Sequence, residues 1–385
     1  MKNSKNTLLF ILAVGVFGII NTEMGVIGIL PDIANHFDIS VSKAGLMVSL
    51  FALAIAIAGP TMPLVFSRMN RKNVMLMVLA IFIIGNIISI FTSNFTIALL
   101  ARVIPAFFHP VYVSMALSVA GSSVSEKEAP KAISKVFIGV SAGMVLGVPV
   151  VSFIAHTVSL EVAMSFFAIV NIFTFIATLL FVPFMTVQER LSYGSQLQIL
   201  TKGITWLAIV AVLFLNSAIF GVYSYLAEYL GVVTNMSANL ISMLLLVYGL
   251  ANIIGNMLAG RLLTDYPIRV VTIFPIVLIA VYLILFFVAE LTIPTAIIIV
   301  VWGILGGLGA NINQYWIMSA APMAPDFANG LFLTSVNLGT TIGAGVAGGV
   351  ISQFETKYIL FVGIVSLVIG FICIILRSYL SKPIS

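Results

Sequence analysis

Long apolar stretches recur along the chain with short polar breaks between them. A bilayer core takes roughly 20 apolar residues per helix, and twelve stretches reach that length, near 7–30, 44–66, 74–92, 96–120, 134–155, 162–184, 204–230, 238–263, 270–289, 293–318, 328–352 and 358–376. The first is too long for a signal-peptide core and has no small-residue cleavage site after it, so it is read as retained. The pattern predicts an all-α integral membrane fold of twelve transmembrane helices.

Composition agrees: 61% of the 385 residues are hydrophobic and 8% are charged, which excludes a soluble globular chain. The charge of +5 is better read by position than by size, because cytoplasmic loops collect Lys and Arg. With the N-terminus inside, every basic residue falls in an inner segment except Lys43 and Lys357, which lie outside, and Arg102, which lies within span 4. Both termini are therefore expected in the cytoplasm, as an even number of spans requires. No basic run with interleaved aromatics suggests nucleic acid. Cys373, the single cysteine, excludes an internal disulfide and a cysteine-based metal cluster, and no metal site is expected.

Against this background the ionisable residues well inside spans are the candidates for chemistry, since a charge at mid-bilayer costs about 2.5–3.5 kcal/mol even on permissive insertion scales. They are Glu23, Arg102 and His109, all in the first half. At 1.5 Å per residue Glu23 and Arg102 both lie about 10 Å below the outer boundary, close enough in depth to pair, and His109 follows Arg102 by two turns on the same face. An apolar wall favours a neutral carboxyl and a nearby guanidinium favours the ionised one, so a neighbour that moves also moves a proton equilibrium. This suits Glu23 as principal proton site, Arg102 as its modulating partner and His109 as a second titratable or substrate-contacting group. Asp32 and Glu228, near outer span ends, read as interfacial; the loop acids read as solvated neighbours of basic residues.

The polar segment 185–203 separates six spans from six, giving an N-terminal half at 1–184 and a C-terminal half at 204–385. The halves correspond: Gly143 and Gly147 in span 5 have counterparts in Gly339 and Gly343 of span 11, each pair spaced for close helix contact, and Arg68 after span 2 matches Arg261 after span 8. Together with "NTEMGVIGILPDIA" at 21–34, "ARVIPAFFHPVY" at 101–112, "GMVLGVP" at 143–149 and "NLGTTIGAGVAGG" at 337–349, this resembles the twelve-span drug:proton antiporters of the major facilitator superfamily. More narrowly, it resembles bacterial efflux proteins for sugars, purines and chloramphenicol.

The resemblance implies proton-coupled export of a small organic compound by alternating access, from a multi-pass protein of the bacterial plasma membrane. Protons would be the coupling ion, with no other cofactor, and the chain is expected to be a monomer. A dedicated exporter of a nucleobase, sugar or siderophore is the nearest alternative. Spans 1, 4, 7 and 10 line the cavity in that superfamily, which points to Asn21, Phe108, Tyr112, Asn216, Tyr223, Asn311, Asn313 and Gln314 as substrate contacts. Gating would fall to Arg68, Arg71 and Lys72 in the loop after span 2, and to Gly143, Gly147, Pro149, Gly339 and Gly343. That loop lacks the superfamily's usual acid: its end reads Ser67-Arg68-Met69-Asn70-Arg71-Lys72. An enzyme is not expected, since no His-Glu-x-x-His, paired intramembrane aspartates or Ser with a His base is present. A channel would ordinarily show a repeated pore loop or charge ring.

Overall fold

The computed structural model describes residues 2–66, 69–124, 129–184, 200–320 and 325–380, and every regular element among them is helical. In chain order these are α1 (Lys2–Met24), a 3₁₀ segment (Gly25–Ile29), α2 (Leu30–His36), α3 (Val41–Ala44), α4 (Leu46–Ala58), α5 (Met62–Val65), α6 (Arg71–Phe91), α7 (Phe95–Ala106), α8 (His109–Ser122), α9 (Ala129–Thr157) and α10 (Leu160–Phe181). The second series is α11 (Gly203–Tyr223), α12 (Leu226–Glu228), a π turn (Tyr229–Val233), α13 (Ala238–Asp265), α14 (Pro267–Val288), α15 (Thr292–Met318), α16 (Pro325–Gln353), a 3₁₀ turn (Thr356–Tyr358) and α17 (Ile359–Leu380).

Twelve spans are long and apolar enough to cross a membrane, matching the twelve apolar runs in order. Three ends differ. The first span continues through the 3₁₀ segment and α2 to His36, because Pro31 in the first turn of α2 restarts a helix where its missing N–H is not needed. The second stops at Ala58, just before Gly59-Pro60, which cannot continue it. The seventh ends at Tyr223, with α12 and the π turn carrying the chain onward. Several starts are fixed by side-chain caps: Asn70 accepts from the amides of Lys72 and Asn73, Asn94 from Thr96 and Ile97, and Ser159 from Val162. Each such cap is worth about 1 kcal/mol.

Contacts divide the chain into one unit of Met1–Asp38 and Ile57–Leu191 and another of Ile39–Ala56 and Ser192–Ser385. In the first, α1 lies between α9 and α10, and α6 packs on α7 and α10. Here Gly139 meets the carbonyl of Ala13, Gly143 meets Ile20 and Gly147 meets Asn21, each so closely that an added Cβ would stand 2.1, 2.7 and 2.6 Å from its neighbour. In the second, α11 is gripped by α16 and α17, and α13 by α15. Gly339 and Gly343 rest on the carbonyls of Leu213 and Ser217, where a Cβ would stand at 2.3 and 2.4 Å. The two glycine pairs read from the repeat therefore occupy the same contact in each unit, helix five against helix one. Small residues are what such a contact needs, since association in lipid relies on close van der Waals packing.

Polar stitching runs through the cores. Thr22 donates to the Gly18 carbonyl at 2.9 Å and its hydroxyl accepts from Asn171 at 3.1 Å and Asn86 at 3.4 Å, joining α1, α10 and α6. Large apolar side chains such as Phe91 and Phe287 are more than four-fifths exposed, as expected of surfaces that face lipid tails.

Candidate functional site

Two spans of the first unit are broken, and Glu23 and His109 stand at the breaks. Span 1 leaves α-helical geometry after Met24, where Gly25 and Gly28 of the 3₁₀ segment pass so close to Phe167 and to the Val148 carbonyl that side chains would clash, at 2.6 and 2.9 Å from an added Cβ. Span 4 breaks between α7 and α8 at Phe107–Phe108, because Pro110 has no N–H to offer the Ala106 carbonyl and Pro105 precedes it. Glu23 thus lies at the C-terminal end of α1 and His109 is the first residue of α8. Interrupted helices are tolerated in membranes where the freed backbone groups find partners.

Here the partner is Arg102, whose Nη2 donates to the main-chain carbonyl of Glu23 at 2.8 Å. The Glu23 carboxylate lies 3.1 Å from Nε2 of His109, with the two side chains 12% and 10% exposed. All three ionisable residues singled out from the sequence are therefore together. The break is what allows His109 to reach the carboxylate, while Arg102 holds the backbone beneath it. Chemically the cluster can hold one proton between a carboxylate and an imidazole, beside a permanent cation whose movement would change the balance.

The remaining candidates are dispersed. Asn21 is fully buried against Gly147, and neither end of its amide has a hydrogen-bond partner among the described residues. Tyr112 is fully buried and lies over Gly15. The Phe108 ring is 6.1 Å from that of Phe66. In the second unit Asn216 donates to the Val336 carbonyl at 2.6 Å and to the Thr340 hydroxyl at 2.9 Å, tying α11 to α16. Tyr223 stacks on Tyr248 at 4.7 Å, with Trp302 edge-on to both. Asn311 donates to Asn256 at 2.6 Å and to the Gly307 carbonyl at 2.9 Å. Asn313 is fully buried with no partner for its amide among the described residues, whereas Gln314 is exposed.

Of the gating candidates, Arg68 lies outside the described residues. Arg71 opens α6, and Lys72, buried, sends Nζ to the Leu179 carbonyl at 2.8 Å and over the Phe184 ring at 4.7 Å. Lys72 therefore caps the C-terminal turn of α10, where the carbonyls lack helical partners. Gly143, Gly147 and the buried Pro149 lie along α9, and Gly339 and Gly343 along α16. Glu228 lies in α12, beyond the seventh span, where burial pushes its carboxyl above the usual range.

Tyr248, Asn256 and Trp302 were not among the sequence candidates, although they stack on Tyr223 or bond to Asn311, which were. Tyr248 and Asn256 lie in span 8, outside the four cavity-lining spans, where an intramembrane Asn was the signal available; Trp302 lies in span 10, where a tryptophan carries no polar signal of its own.

Comparison with known proteins adds the lineage. The family model for the Major Facilitator Superfamily matches residues 12–324 and 205–384. The chain is 33% identical to the uncharacterized MFS-type transporter YtbD of Bacillus subtilis, over 90% of this chain and 88% of that one. It is 27% identical to a probable sugar efflux transporter of Helicobacter pylori, over 92% and 90% of the two chains. Among solved structures, a bacterial homolog of the human lysosomal transporter Spinster, inward-facing and occupied, superposes with a TM-score of 0.79 at 17% identity over 98% of both chains. The nucleoside transporter NupG gives 0.77 at 14% identity over 99% of both. Those two likenesses are of fold. The chain is a multi-pass membrane transporter, not an enzyme, and it belongs to the Major Facilitator Superfamily.

Proposed function

We propose that this transporter exports a small organic compound across the bacterial plasma membrane in exchange for protons, by alternating access. The observation that carries the reading is the Glu23–His109 pair, 3.1 Å apart at the breaks of spans 1 and 4, with Arg102 on the Glu23 carbonyl. Ionisable groups at this depth are expensive to keep without a use, and a nearly buried acid beside an imidazole and a guanidinium is a minimal proton switch. Protonation of Glu23 removes the pull on His109, and a shift of the α7–α8 break would reverse it. A change of one pKa unit corresponds to about 1.4 kcal/mol, so a modest displacement suffices.

A sugar or similarly polar, uncharged metabolite is the substrate class we favour, because a relative over nine-tenths of the chain is named as a probable sugar efflux transporter. Drug export would then be incidental. We place both termini in the cytoplasm, from the distribution of basic residues, and take the working unit to be a monomer.

The test is a panel of sugars, nucleosides and drugs loaded into proteoliposomes carrying the wild type or Glu23→Gln, with internal pH followed by trapped pyranine. Solute-driven proton uptake that Glu23→Gln abolishes is expected. Solute efflux that is indifferent to a pH gradient would refute the coupling.

A further inference from the structure

The chain has three histidines, and each stands opposite a carboxylate within the first unit. Nδ1 of His36 is 3.6 Å from Glu161, Nδ1 of His156 is 3.5 Å from Asp32, and Nε2 of His109 is 3.1 Å from Glu23. One member of each pair belongs to the first span, in the order Glu23, Asp32, His36. The pairs also form a gradient of burial: the side chains are 35% and 50% exposed for His36 and Glu161, 18% and 26% for His156 and Asp32, and 10% and 12% for His109 and Glu23.

Asp32 and His36 are one turn apart on α2 and so share a face, which brings the first two pairs side by side between α2, the end of α9 and the start of α10. Oδ2 of Asp32 is buried with no hydrogen-bond partner among the described residues, leaving an oxygen able to take a proton. Between Asp32 and Glu23 the chain passes Gly28, which meets α9 first at Val148 and beside it at buried Ser152, one turn before His156. Each leg, Asp32 to Gly28 and Gly28 to Glu23, is about 8 Å by helical rise. Among the described residues, the remaining titratable group at this end of the unit is Asp38, exposed just beyond α2. Among the unit's described basic residues, Arg102 is turned to the Glu23 carbonyl, while Lys72 and Lys135 are held at the opposite end by Leu179 and Asn6, with Arg71 beside Lys72 at the start of α6.

Building on the proton-coupled reading above, we infer that Asp32 and His156 form a second proton-binding station, loaded through His36 and Glu161 at the outer face and discharging past Ser152 toward Glu23. Hydronium gives a proton to the outer pair and leaves as water. The proton passes to Asp32 and then, when span 1 shifts on α9 and water enters beside Ser152, along that water and the Ser152 hydroxyl, each oxygen taking one proton as it gives up another, until Glu23 holds it. Only O–H and N–H bonds form and break. Such a station matters most when external protons are scarce, because it holds a proton next to the route while Glu23 is waiting for one.

The test uses right-side-out vesicles of the full chain, loaded with a mixture of L-arabinose, inosine and chloramphenicol. Proton uptake is read by internal pyranine while external pH is varied from 6 to 8 at fixed internal pH. Asp32→Asn and His156→Gln should each slow uptake about tenfold at pH 8 yet come within twofold of wild type at pH 6, with the dependence on internal pH unchanged. His36→Gln and Glu161→Gln should lose two- to threefold at pH 8. Two variants at each pair keep the question answerable if one fails to insert. An unchanged external profile overturns the inference, as does an equal loss at every external pH, which is what a purely structural clamp between α2 and α9 would give. If Glu23→Gln uncouples while Asp32→Asn and His156→Gln keep the wild-type profile, the relay fails and proton exchange stands; if the wild type moves no protons, both fail.

Discussion

Lys72 shows how a single side chain does work that its charge alone does not suggest. Expected as a gating residue from its place in the loop after span 2, it is buried, with its ammonium on the Leu179 carbonyl in the last turn of α10 and over the Phe184 ring. A cation at a helix C-terminus gains from both the unpaired carbonyl and the helix dipole. Lys72→Met should therefore cost about 1–2 kcal/mol, seen as a lower melting temperature in detergent, with substrate affinity unchanged. Glu23 could be located from sequence because a charge in an apolar run is conspicuous. Its pairing with His109 could not, since equal spacing along an unbroken helix puts His109 two turns from Arg102, and only the break at Phe107–Phe108 turns it toward the carboxylate. His36 and His156 escaped notice for a related reason. Each sits near a span end, where polar residues are ordinary, and acquires meaning only from the acid that another element brings to it.

At the scale of elements, the contact between the first and fifth helices of each unit is the feature most legible in the sequence, because small residues spaced four apart leave a visible pattern. The glycines of α16 separate into two kinds. Gly343 has the Ser217 carbonyl 2.4 Å from where a Cβ would be, whereas Gly345 and Gly349 have nothing within 4 Å. Gly343→Ala should lower thermal stability, while Gly345→Ala and Gly349→Ala should be neutral or raise it by up to about 1 kcal/mol through the helix preference of alanine. The repeat also exposes an asymmetry. Asn216 on α11 is matched by Asn21 on α1, but Thr340, which bonds Asn216, has Met144 at the corresponding place 196 residues earlier. Asn21 is accordingly left without a partner among the described residues. Met144→Thr should give it one and stabilise the α1–α9 contact by about 0.6 kcal/mol, while Asn216→Ala should weaken the α11–α16 contact; paired thermal melts in detergent would show opposite signs.

For the whole molecule, twelve apolar runs were enough to read the all-helical, twelve-span fold, because in lipid the backbone must satisfy itself and a helix is the solution open to a run of that length. What the runs do not report is where helices stop being helical. The 3₁₀ segment in span 1 and the turn in span 4 lie inside apolar stretches, and they bring Glu23, Arg102 and His109 together. The central claim is that protons are exchanged for solute through this cluster. Its most direct test is solute-driven proton uptake in proteoliposomes, compared between wild type and Glu23→Gln, with solute–solute exchange measured in the same vesicles. Glu23→Gln should abolish proton uptake while exchange persists. Proton uptake undiminished in Glu23→Gln would contradict that claim.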